Sequence, residues 1–390
     1  MLWFLVVVVA LWSLLHAYVA RRVVGPLAVR GVRRGLLYAL LVAGTVLAPL
    51  VFAADKLLDP DPAYTYRWIA WTYVGAFSTL VGMLAARDLA LFLWRRLRGF
   101  LPGKPENAAA ASPERRRFLL NASSGALTGA SVALTAYGVR EARKLPEIVE
   151  LEIPIKGLPK ELEGYHIVQL SDMHVGETID KDFILPIVEA VTSLSPDLLA
   201  LTGDLVDGSV DRLRDDVSPL AYLRARDGVL CVTGNHEYYA GVEAWCTHFR
   251  ELGMTVLNNE HVLIQRGAAR LLVAGVTDIR EGKKVDGHTS DPARALKGAP
   301  AHDLRILLAH QPRSAAVAKD HGFALQLSGH THGGQFFPWN LMVGLVQPIS
   351  QGLARVGEMW VYVNRGTCYW GPPVRSFVPA EITSIKLRRA

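Results

Sequence analysis

Two kinds of hydrophobic patterning divide this chain. Up to about residue 140 the apolar residues form long runs broken by short charged segments; from about residue 148 they form short runs alternating with amphipathic stretches. The first pattern predicts helices of membrane-crossing length at 1–20, 36–54, 68–86 and, more weakly apolar, 118–138. About 20 apolar residues in a helix match a hydrocarbon core of roughly 30 Å. The run at 1–20 has neither a basic n-region nor an A-x-A cleavage site, so it reads as a span and not as a removed signal. Trp68, Trp71 and Tyr73 suit an interfacial aromatic belt.

The second pattern predicts strands at 148–153, 165–170, 198–202, 229–233, 271–276, 306–309, 324–327 and 359–363. Helices are expected at 183–194, 211–226, 242–252 and 315–320. Alternation of this kind implies an α/β fold with helix-covered sheets. The chain therefore divides into a transmembrane region, residues 1–140, and a globular domain, residues 148–388. No internal repeat is visible.

Composition sharpens this division. Hydrophobic residues make up 51% of the 390 residues, above the range of ordinary soluble domains, and the excess lies in the first 140. The net charge is +6. Much of the arginine flanks the apolar runs: Arg21, Arg22, Arg30, Arg33 and Arg34 after the first, and Arg95, Arg96, Arg98 and Arg115 to Arg117 after the third. That distribution reads as membrane topology and places those loops in the cytoplasm. The loop with Asp55, Lys56, Asp59 and Asp61 is expected outside. The globular half carries no basic stripe with interleaved aromatics, which argues against nucleic acid as a partner.

If 118–138 crosses, the globular domain lies on the extracytoplasmic side of a multi-pass plasma-membrane (inner-membrane) protein. Ser112-Pro113-Glu114-Arg115-Arg116-Arg117-Phe118-Leu119 resembles a twin-arginine export signal, while a positive-inside anchor explains the same arginines. A surface helix at 118–138 would instead leave the domain cytoplasmic. Cys231, Cys246 and Cys368 form no CxxC pattern and give no compartment.

The chemistry lies where the predicted strands end. Asp172 and His174 follow one strand, Asp204 a second, Asn235 and His236 a third, His310 a fourth, and His330 and His332 a fifth. Ligand sites in α/β sheets form at strand C-termini. Carboxylate and imidazole ligands suit Mn, Fe or Zn. Asp172, His174, Asp204, Asn235, His310, His330 and His332 are too many for one catalytic ion with an open position, but they fit two divalent ions sharing a bridging carboxylate. Such a pair turns a bridging water into a hydroxide nucleophile for in-line displacement at phosphorus. Asp207 and Asp278 could orient ligands or cap turns. His248, His261, His288, His302 and His321 read as ordinary core or surface residues.

The arrangement resembles the calcineurin-like metallophosphoesterase family. Its elements stand here in order as Asp172-Met173-His174, Gly203-Asp204-Leu205-Val206, Gly234-Asn235-His236-Glu237, His310 and Gly329-His330-Thr331-His332. The resemblance covers about residues 150–385. It implies a sandwich of two mixed β-sheets flanked by helices. One metal would be held by Asp172, His174, Asp204 and His332, and the second by Asp204, Asn235, His310 and His330. His236 would protonate the leaving alkoxide or stabilise charge at the phosphoryl group, and Glu237 would be structural.

The reaction implied is hydrolysis of a phosphomonoester, phosphodiester or pyrophosphate. The family's membrane-linked branch implies envelope glycolipids, such as UDP-2,3-diacylglucosamine of lipid A synthesis, as a substrate class. The apolar stretch 336–346, beside the last ligand pair, could touch the bilayer or the acyl part of a lipid-linked substrate, or pack as ordinary core. A non-catalytic metal-binding membrane receptor or scaffold is the alternative. A transporter is disfavoured, because Arg87 and Asp88 are nearly the only ionisable residues in the spans.

Overall fold

The computed structural model describes residues 2–27, 30–50, 60–97, 112–176 and 178–390. The chain forms two compact units, Met1–Arg140 with Gly371–Ser376, and Glu141–Trp370 with Phe377–Ala390.

In the first unit, helices cover Leu2–Val19, continuing through a π-helical turn to Val24, then Val32–Leu50, Pro60–Leu97 and Pro113–Ala142. The stretches Val6–Val24 and Tyr64–Leu97 are long and apolar enough to cross a membrane. The expected span at 68–86 is thus part of a 38-residue helix. Residues 51–54 of the second expected span, the charged positions 55, 56 and 59, and positions 98, 104 and 106 lie outside the described residues. Arg87 and Asp88 serve as ties between helices. Asp88 accepts from Tyr18 at 2.9 Å and pairs with Arg22 at 2.7 Å, and Arg87 donates to Ser124 at 2.7 Å. Their charges are spent on one another.

The second unit carries two six-stranded sheets. The strands are β1 (Glu147–Ile155), β2 (His166–Leu170), β3 (Leu198–Leu201), β4 (Val229–Cys231), β5 (Thr255–Val256), β6 (Glu260–Arg266), β7 (Ala269–Gly275), β8 (Leu304–Leu308), β9 (Leu325–Ser328), β10 (Gly352–Val356), β11 (Met359–Val363) and β12 (Glu381–Arg389). One sheet runs β1-β12-β2-β3-β4-β5 and the other β10-β11-β9-β8-β7-β6. Both are mixed: β12 is antiparallel to β2, β10 to β11 and β6 to β7, while the central strands run parallel.

The period of two along each strand builds the layers. In β3, Leu198 and Ala200 belong to the core between the sheets, with Ile167, Leu230, Val273, Ile306, Leu308 and Leu327. Leu199 and Leu201 face the other way, into a core with Ile184, Ile187, Val188 and Val191 of the helix Lys181–Ser193 and with Trp245 and Phe249 of the helix Val242–Glu251. The outer face of the second sheet is covered through Ala295, Ala315 and Ala318. This is the two-sheet, helix-flanked sandwich expected.

The expected helix at 211–226 is replaced by a turn of helix at Val210–Leu213 and a 3-10 segment at Ser218–Tyr222. Pro219 has no N–H and disfavours helical geometry at Ser218, so the two cannot fuse. Strands β5, β6, β10 and β12 were not anticipated; β12 sits inside the first sheet, between β1 and β2.

Candidate metal centre

Parallel strands put their C-terminal ends on one edge, and each expected site residue follows such an end. Asp172 and His174 follow β2, Asp204 follows β3, Asn235 and His236 follow β4, His310 follows β8, and His330 and His332 follow β9. Both sheets therefore contribute. The backbone there is unusual: Asp172, His174, Asp204, His330 and His332 have φ of 54, 48, 52, 74 and 50°. A left-handed non-glycine residue costs about 1 kcal/mol or more, and such strain collects at functional sites.

A group of His174, Asp207 and His236 adjoins two others. Asp172, His174 and His332 form one, and Asp204, His310 and His330 the other, each with its ligand-type atoms within 4.8 Å of one another. His174 Nε2 lies 3.1 Å from His332 Nε2, and His310 Nε2 lies 3.1 Å from His330 Nδ1. Asp204 Oδ2 is 3.0 Å from His310 Nε2, and Asp172 Oδ1 is 3.4 Å from His332 Nε2. The outer nitrogens set the tautomers. His310 Nδ1 contacts the Thr202 carbonyl at 2.8 Å and His174 Nδ1 contacts Asp207 at 2.8 Å, which leaves each Nε2 as the inward atom. Asn235 Oδ1 is buried and has no hydrogen-bond partner among the described residues.

Close backbone approach makes room for this. At Gly234 a Cβ would sit 2.2 Å from Asp204 Oδ1, and at Gly329 a Cβ would sit 2.0 Å from Ser171 Oγ and 2.1 Å from Asp172 Oδ2. Asp172 accepts from His330 N at 3.0 Å, and Asp204 accepts from His236 N at 2.8 Å. Glu237, fully buried, accepts from Gly234 N at 2.7 Å, Asp204 N at 3.0 Å and Leu205 N at 2.7 Å. Its carboxylate ties two ligand loops together. Asp207 accepts from both His174 and His236, so of its two expected roles it takes the orienting one. Asp278 accepts from Arg280 N, Glu281 N and Gln311 and caps a turn.

The electrostatics call for positive charge. Burial raises the carboxyls of Asp172 and Asp204, but His332 beside the first and His310 beside the second hold both below the usual range. Burial lowers His310, yet the Asp204 carboxylate pushes it up to about 10; burial and the His310 charge take His330 down to about 4. Protons or metal cations can supply that charge, and a cation also uses the Asn235 oxygen and the convergent ring nitrogens. The donor set therefore fits divalent metal.

Three neighbours gave no signal in the sequence. The Tyr239 and Trp370 rings pack on His236 at 5.3 and 5.5 Å between centroids. Gln335 hydrogen-bonds both backbone groups of Trp370. In the apolar stretch Phe336 is buried as core, whereas Trp339, Leu341, Met342, Leu345 and Val346 are exposed. His248, His261, His288 and His302 contact partners outside the centre, as expected: Glu251, the Ala295 carbonyl, Tyr238 and the Pro300 carbonyl.

A family profile described as calcineurin-like phosphoesterase matches residues 165–334. A "Transmembrane protein with metallophosphoesterase domain" of Bos taurus is 34% identical over 88% of this chain and 79% of its own length. A protein of the same description from Danio rerio is 39% identical over 67% of this chain, but the match spans only 61% of that relative. An "Uncharacterized metallophosphoesterase" of Helicobacter pylori is 39% identical over 70% of this chain and 73% of its own.

Proposed function

The chain belongs to the calcineurin-like phosphoesterase family, and on that premise we propose that it is a membrane-anchored, metal-dependent hydrolase of phosphoesters. The observation that carries this is the pair of Asp/His groups at 172, 174, 332 and 204, 310, 330, with the buried Asn235 Oδ1 lacking a hydrogen-bond partner among the described residues. One ion would be held by Asp172, His174, Asp204 and His332, the other by Asp204, Asn235, His310 and His330, with Asp204 shared. Two divalent cations, Mn, Fe or Zn, would supply a water nucleophilic at neutral pH and neutralise charge on the phosphoryl oxygens.

The chain's own residues do the rest. Burial opposes charge on His236, but in the metal-free site the Asp204 and Asp207 carboxylates outweigh it and raise its pKa. His236 would give a proton to the leaving alkoxide. Asp207 holds its Nδ1 at 2.6 Å and so aims Nε2 inward, toward Asp204 Oδ2 at 4.0 Å. The protein is proposed to be a multi-pass plasma-membrane enzyme with this domain on the extracytoplasmic side. The class of substrate proposed is an envelope (glyco)lipid phosphoester, of which UDP-2,3-diacylglucosamine is one example. The exposed apolar turn around Trp339 and Leu341 supports an acyl-bearing substrate. A non-catalytic receptor would have no use for His236 and its Asp207 partner.

The test is hydrolysis of bis-(p-nitrophenyl) phosphate and p-nitrophenyl phosphate by the purified full-length protein. It is metal-stripped, then reloaded with Mn, Fe or Zn, beside Asp204→Asn and His236→Ala. Metal-dependent turnover lost in both variants is expected. No turnover with any metal on these esters and on envelope lipids would remove the enzyme reading, and turnover that persists in both variants would remove this site from it.

A further inference from the structure

We infer that Tyr239 and Trp370 form an aromatic wall for a flat ring carried by the substrate's leaving group, and that Gln335 positions that wall. Both rings pack on the imidazole of His236, with centroids 5.3 and 5.5 Å away and planes tilted by 66 and 75°. Trp370 also reaches His174, at 6.3 Å. Yet Tyr239 is 64% and Trp370 49% exposed. Two large aromatic surfaces are therefore held beside the group that protonates the leaving alkoxide, and much of each is open to a ligand. An aromatic face open to solvent gains most from a second flat π-system, because stacking adds to the burial of area.

Trp370 is held from behind. Gln335 accepts from its N–H at 2.9 Å and donates to its carbonyl at 3.1 Å. Gln335 is itself buried and stands at φ 58 and ψ −52, a conformation unfavourable for a side chain with a Cβ. It follows His332 by three residues, and its N–H donates to the His332 carbonyl at 2.9 Å. The loop that carries two ligand histidines thus also fixes the wall, and the strained backbone is the cost of that connection. The substrate class that follows is a phosphoester whose alcohol bears a planar ring, a nucleoside or an aryl group. This rests on the reading of the centre as a phosphoester site.

The experiment compares binding of two non-hydrolysable probes to the manganese-loaded full-length protein by calorimetry. They are the 5′-phosphonate analogues of uridine 5′-phosphate and of ribose 5-phosphate, which present the same phosphoryl end and differ in the flat base. The base-bearing probe is expected to bind about tenfold more tightly. That ratio should fall toward one in Trp370→Ala and in Tyr239→Ala, and be retained in Trp370→Phe. Gln335→Ala should lower it as Trp370→Ala does, with the double variant no lower than either single one. Equal affinity for the two probes, binding of neither, or a ratio untouched by all three alanine variants would overturn the wall. Base-selective binding without turnover of any phosphoester would instead sink the hydrolase reading and leave the wall standing.

Discussion

The carboxylate of Asp207 lies 2.6 Å from Nδ1 of His236, and the same oxygen lies 2.8 Å from Nδ1 of His174. One side chain thus aligns a metal-ligand candidate and the proposed acid. Asp207→Asn should lower kcat/KM for p-nitrophenyl esters by roughly 10–100-fold, the range typical for groups that orient ligands. It should also move the pH profile. A general acid works while protonated, so activity falls as pH rises through its pKa. The Asp204 and Asp207 charges raise that pKa against burial. Removing the Asp207 charge lowers it, and the alkaline limb of kcat should shift to lower pH. An unmoved limb with an equal drop at every pH would assign Asp207 to His174 alone.

Glu237 makes a prediction of a different kind. Its carboxylate accepts from three backbone N–H groups, those of Asp204, Leu205 and Gly234. In Glu237→Gln an amide nitrogen would face a donor, leaving a buried N–H unsatisfied at about 1–3 kcal/mol. Thermal unfolding should show that loss, and metal affinity should fall because the Asp204 and Gly234 loops are no longer tied. A variant with wild-type melting and weakened metal binding alone would mean that Glu237 acts electrostatically.

How far the site could be read before the fold was known follows from the same residues. Asp172, His174, Asp204, Asn235, His310, His330 and His332 declare themselves because each follows a short apolar run, and parallel strands must bring their C-terminal ends together. The tie made by Glu237 follows from its place beside Asn235 and His236. Trp370 and Gln335 do not, because their pairing spans 35 residues and depends on a loop conformation. Among the strands, β12 lies outside the expected set, and its alternation ends in Lys386, Arg388 and Arg389. Its buried face, Ile385 and Leu387, completes the inter-sheet core. The helix expected over 211–226 failed on a local rule, the proline at 219.

The exposed turn Trp339–Met342 gives the lipid reading its own test. Trp339 is 48% and Leu341 70% exposed, so replacing both by Ser removes little core. Turnover of a diacyl phosphoester relative to p-nitrophenyl phosphate should fall about tenfold, consistent with the loss of two partly buried apolar contacts to the acyl chains. Equal losses on both esters would rule out an acyl contact at this turn.

Gly329 sits where the two ligand groups meet. A methyl group there would meet Ser171 Oγ at 2.0 Å and Asp172 Oδ2 at 2.1 Å, distances that no Cβ tolerates. Asp172 is fully buried and bound to His330 N, so it cannot swing into solvent without leaving its group. Gly329 also donates its own N–H to the His310 carbonyl at 2.9 Å, and the next residue, His330, belongs to the group of Asp204 and His310. Gly329→Ala should therefore disrupt the group of Asp172, His174 and His332 directly and weaken the group of Asp204, His310 and His330 through His330 and His310. Metal titration by calorimetry should show lower stoichiometry or much weaker binding, and activity should fall by at least two orders of magnitude if the proposed displacement uses two ions. The melting temperature of the metal-free protein should drop by only a few degrees, about 1–3 kcal/mol of overpacking. Full stoichiometry and near-wild-type activity would mean that the loop after β9 relaxes freely, and the close approach at Gly329 would carry no functional weight.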